Sequence, residues 1–65
     1  MEITCVLRIV PDGTVLEYRG PAGSTFEDAL LSFNIIPDTV LIRCNGKFLA
    51  QDMVIEGDEA EVILT

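Results

Sequence analysis

Over the first ten residues Ile3, Cys5, Leu7 and Ile9 alternate with Glu2, Thr4, Val6 and Arg8. That period of two is the mark of a strand with one buried face. Pro11-Asp-Gly-Thr14 follows. Proline presets φ for a turn, and Asp-Gly tolerates the positive φ a hairpin demands. Val15 to Tyr18 returns as a second strand, so the segment predicts a hairpin. Gly20-Pro-Ala-Gly23 breaks the pattern. The period then changes: Phe26, Ala29, Leu30 and Phe33 recur at i, i+3, i+4 and i+7, one face of a helix. Two overlapping capping boxes precede them, Ser24 with Glu27 and Thr25 with Asp28, and either puts acids in the first turn, where the helix dipole favours them. Asn34 suits the C-terminal cap and Pro37 forbids continuation, which predicts a helix of about three turns.

Asp38 to Cys44 reads as a third strand, and Asn45-Gly46 is the strongest hairpin signal in the chain. Lys47 to Ala50 returns as a short fourth strand. Gln51 to Glu56 is a crossing with one or two apolar anchors, Met53 and Ile55, and Gly57-Asp58 turns the chain into a fifth strand, Glu59 to Leu64. There Ala60, Val62 and Leu64 share one face, and Glu61 and Ile63 the other. One helix laid across one face of a mixed five-stranded sheet is the simplest way to bury a single apolar stripe. The strongly apolar last strand belongs in the centre of that sheet. The expected architecture is a single α+β domain over residues 1–65, in the β-β-α-β-β-β order of a β-grasp.

Composition makes this feasible. A chain this short buries only about 60% of its unfolded surface, so the 49% apolar content is needed to supply a core. Cys5 and Cys44 fall inside strands and are expected as reduced core thiols. Eleven acids against four bases give a formal charge of −7. Nucleic-acid binding needs clustered bases to displace counterions, whereas Arg8, Arg19, Arg43 and Lys47 are scattered. The same scatter argues against anionic membranes; a charge of this sign either steers the domain towards a basic protein surface or serves solubility alone. No apolar run approaches the roughly 20 residues of a membrane span, and the first residues lack a signal-peptide pattern. The expected location is the cytoplasm.

Catalysis is not expected. The chain has no His, the side chain best suited to proton transfer near neutral pH. No Ser or Cys has a base beside it in sequence, and no glycine-rich phosphate loop is present. Two cysteines are too few for an iron–sulfur cluster. Asp58, Glu59 and Glu61 lack the loop pattern of a hard-cation site. No catalytic residue, metal or cofactor is assigned.

The outer face of the sheet is the better lead. A two-residue Asn45-Gly46 loop would pair Cys44 with Lys47, Arg43 with Phe48 and Ile42 with Leu49. Val40, Ile42 and Leu49 would then face the helix, and Leu41, Arg43 and Phe48 the solvent. With Ile63 pointing outward on the last strand, Leu41, Phe48 and Ile63 would form an apolar patch with Arg43 at its rim, a common mark of a protein-binding surface. A longer turn would swap the faces and bury Phe48.

The layout, the run Val40-Leu-Ile-Arg-Cys-Asn-Gly46 and the run Ile55-Glu-Gly-Asp-Glu-Ala-Glu-Val62 resemble the ubiquitin-like sulfur carriers, the family of the thiamine-biosynthesis sulfur carrier and the small subunit of molybdopterin synthase. The resemblance spans nearly the whole chain and rests on the order and spacing of an Asn-Gly hairpin and a Gly-Asp turn. It implies a carrier, not a catalyst. Members end in Gly-Gly, whose carboxylate an adenylating enzyme activates with ATP. The resulting thiocarboxylate passes its sulfur to a downstream acceptor enzyme, in cofactor biosynthesis or transfer-RNA thiolation. Ile63 would fall on the face that docks the activating enzyme. The sequence departs from the family at its end: about four residues, Gly-Gly among them, would have to follow Thr65. Thr65 is the residue nearest the carrier terminus, but it is β-branched and sits at the end of a strand, so the chain as written is expected to be inactive as a carrier. The alternative is a stand-alone ubiquitin-like module that binds a partner through its outer sheet face.

Overall fold

The computed structural model describes residues 1–64, which leaves Thr65 outside the described residues. Its elements are β1 (Glu2–Val10), β2 (Val15–Pro21), α1 (Phe26–Ser32), a 3-10 turn (Pro37–Thr39), β3 (Val40–Cys44), β4 (Lys47–Leu49) and β5 (Glu59–Leu64). The sheet runs β2-β1-β5-β3-β4. β1 and β5 are parallel, and every other neighbouring pair is antiparallel. With α1 across one face, this is the β-grasp arrangement, and β5 is its central strand, as its apolar character requires.

The core forms where the alternating pattern places it. Cys5, Leu7 and Ile9 of β1, Ile42 of β3, and Ala60 and Val62 of β5 are buried beneath Phe26, Ala29 and Leu30 of α1. Of the one or two anchors expected in the crossing segment, Ile55 closes the core and Met53 is exposed. Crossing residues held by the helix start explain this: Phe26 and Glu27 donate their N–H groups to the carbonyls of Met53 and Gln51. That fixes the backbone there without needing Met53's side chain.

Thr25, not Ser24, caps α1. Its hydroxyl accepts from the Asp28 N–H at 3.2 Å, and the Asp28 carboxylate accepts from the Thr25 N–H at 3.0 Å. Ser24 is engaged elsewhere: it accepts from the Tyr18 hydroxyl at 3.2 Å and donates to the Pro21 carbonyl at 2.6 Å. The helix is shorter than its spacing predicts, at seven residues. Asn34 takes a left-handed φ of 65°, and the N–H groups of Asn34 and Ile35 return to the carbonyls of Leu31 and Leu30. This is a Schellman closure. Phe33 therefore reaches the core from the cap rather than from within the helix.

β2 also differs from the sequence reading, continuing through Gly20 to Pro21. Gly20, expected to break the pattern, pairs with Ile3, because β1 extends far enough to hold it. Among the described residues no helix is long and apolar enough to cross a membrane.

Candidate docking face

The outer sheet face is set by the β3–β4 hairpin. Asn45 and Gly46 both take positive φ, 53° and 78°, as the two central residues of a type I′ turn must. Cys44 pairs with Lys47, Arg43 with Phe48 and Ile42 with Leu49. Ile42 is buried and Leu49 packs against the core, so Phe48 is turned to solvent and is 63% exposed.

Two cross-strand rows follow from the registers. In the first, Val10, Ile63 and Leu41 lie side by side on β1, β5 and β3. In the second, Arg8, Glu61, Arg43 and Phe48 succeed one another from β1 to β4. Leu41, Arg43, Phe48 and Ile63, the four residues singled out from sequence, therefore share one face. Leu41 and Ile63 are direct partners, as are Arg43 and Phe48, while Phe48 is diagonal to Leu41. Two neighbours were missed. Val10 completes the apolar row, and Arg8 flanks Glu61 opposite Arg43. Only the stagger of the parallel β1–β5 pair brings them there, and no local turn announces that stagger.

Arg43 donates its Nε–H to Glu61 Oε1 at 2.8 Å. That hydrogen bond, followed by the charges of Arg43 and Arg8, holds the Glu61 carboxyl below its ordinary value of 4.5 against an opposing desolvation. The same bond raises the Arg43 guanidinium. Glu61 is thus committed to Arg43, and among the described residues no group of three or more acidic, cysteine or histidine side chains is placed to hold a metal.

The cysteines are free, Cys5 buried and Cys44 half-buried. Burial pushes the Cys5 thiol up, and the nearby Cys44, Asp58 and Glu59 add to the shift. A thiol held protonated is a poor nucleophile, so Cys5 acts as core. The outer face thus presents an apolar row on three strands, beside a charged row that ends in an exposed phenylalanine. Comparison with family models, curated proteins and solved structures finds no match for this chain.

Proposed function

We propose that this domain is a ubiquitin-like sulfur carrier. It docks an adenylating enzyme through Leu41, Arg43, Phe48 and Ile63, and its tail is converted to a thiocarboxylate that donates sulfur to an acceptor enzyme. One observation carries this. Ile63 of the apolar row is the penultimate described residue of the central strand, so a partner that grips the row holds the chain beside Leu64, the last described residue. Docking and delivery of the chain end become one act. In this reading the domain does no catalysis itself and is worked on by its partners in the cytoplasm. Such a carrier needs a flexible Gly-Gly end beyond Thr65, because glycine alone can thread a narrow channel without a side chain in the way.

A second reading has its own support. The apolar row is complete within the described residues, so a stand-alone ubiquitin-like module could use the same face with no tail chemistry.

The intact mass of the protein isolated from its own cells separates the two. A carrier shows a species extended to Gly-Gly, part of it bearing an oxygen-to-sulfur replacement. A mass that ends at Thr65 removes the carrier function and leaves the binding module. The face itself is tested in the same preparation by Ile63→Asp, which puts a charge into the apolar row. The folded state should survive, as judged by its denaturation curve, while binding to the adenylating enzyme of those cells is lost. Undiminished binding rules out this face.

A further inference from the structure

The sheet has two edges, and they are unequal. β4 offers three residues, whereas β2 offers seven, Val15–Pro21, with no strand beyond it among the described residues. The phase of the β1–β2 ladder follows from two bonds, Ile9 N–H to the Thr14 carbonyl at 2.7 Å and Ala22 N–H to the Met1 carbonyl at 2.8 Å. Hydrogen-bonded pairs recur at every second residue of an antiparallel ladder. Leu16, Tyr18 and Gly20 therefore direct their main-chain groups at β1, and Val15, Glu17 and Arg19 direct theirs away from the sheet. A row of free N–H and C=O groups is a template for another strand.

We propose that β2 pairs antiparallel with β2 of a second copy of this chain, about a two-fold axis at Tyr18. That register sets Glu17 opposite Arg19 of the second copy and Arg19 opposite its Glu17. Both are pairs in which each residue gives and accepts a main-chain hydrogen bond, and both place opposite charges directly across the interface. Alternative centres fail. An axis at Glu17 or at Arg19 puts like charges face to face, and one at Leu16 or Gly20 leaves every charge opposite an uncharged residue.

Within one chain Arg19 Nε already donates to Glu17 Oε1 at 3.2 Å, so pairing closes a square of four alternating charges on the outer face. The edge is open to approach. Tyr18 lies along its own strand over Gly20, its hydroxyl held by Ser24, and does not overhang. Pro21 ends the contact, since it has no N–H and its carbonyl is taken by Ser24. The two outer faces would then continue side by side as one sheet.

The net charge of −7 opposes any self-association, so charge exchange is the decisive test. The full chain, Glu17→Arg, Arg19→Glu and an equimolar mixture of the two variants are compared by sedimentation equilibrium over a concentration series. The wild type associates as concentration rises. Each single variant sets like charges across both pairs and weakens association roughly tenfold. The mixture opposes two bases to two acids and recovers wild-type association, a gain that unfolded chains could not produce. In parallel, the amides of Glu17 and Arg19 become protected from exchange at high concentration, while that of Leu16, already bonded to β1, does not change. A wild type that stays monomeric throughout, single variants that associate like it, or a mixture that fails to recover would each overturn the pairing.

Discussion

Leu30→Ala is expected to bring the domain to the edge of unfolding. Leu30 is 1% exposed and sits at the centre of the apolar stripe of α1, in one core with Leu7 and Val62. Removing a buried leucine side chain costs about 2–5 kcal/mol, because the lost transfer energy is joined by the cavity left behind. At roughly 0.05–0.15 kcal/mol per residue, a chain of this length has only about 3–10 kcal/mol in total. Nor can the helix hold its own shape meanwhile: seven residues are far below the roughly 12–15 an isolated helix needs. A urea titration measures the effect, with Leu31→Ala as the internal comparison. Leu31 is the next residue along but is exposed, and its loss should stay within about 0.5 kcal/mol. Equal midpoints for the two variants would show that the helix buries a different face.

That helix face was legible in the sequence because a period of 3.6 admits only one stripe through Phe26, Ala29 and Leu30. The β3–β4 register was legible for a sharper reason. A two-residue turn needs positive φ twice, Asn-Gly tolerates it twice, and the pairing of Arg43 with Phe48 then follows by parity. The choice of cap was not legible, since both frames had the right residues at the right spacing. It is decided at a distance, by Tyr18. Its hydroxyl engages Ser24, which leaves Thr25 to cap.

The outer sheet face divides in the same way. Leu41, Phe48 and Ile63 could be assigned to it because hairpin geometry fixes one side and strand alternation the other. Val10 and Arg8 could not, because they join through a parallel pair whose strands are separated by most of the chain. Parallel register is set by packing across the core, here of Leu7 beside Ala60 and Ile9 beside Val62, and packing leaves no local mark in a sequence. The same holds for the β2 edge. Gly20 and Pro21 look like an interruption until β1 is seen to reach them, and only then does the strand become long enough to present Glu17 and Arg19 as a pair.

Gly20→Ala is the second substitution expected to have a large effect, and its direction is the opposite of the usual one. Replacing a strand glycine by alanine ordinarily stabilises by about 0.4–1 kcal/mol, because the unfolded chain loses freedom. At Gly20 a Cβ would strike the Tyr18 hydroxyl, lie 2.7 Å from its ring carbon Cζ and come within 3.1 Å of Ser24 Oγ. Tyr18 has little room to yield. It is buried, its hydroxyl is bonded to Ser24, and Ser24 is bonded in turn to the Pro21 carbonyl. Swinging the ring aside would break the first of these bonds and open the core, so a net loss of about 1–3 kcal/mol is expected. A double-mutant cycle isolates the cause. In a Tyr18→Val background the obstruction is gone, and Gly20→Ala should become neutral or stabilising, with a coupling on the order of 1 kcal/mol or more. If Gly20→Ala stabilises the wild type, Tyr18 is not wedged over Gly20, and Ser24 would be free to compete with Thr25 for the start of the helix.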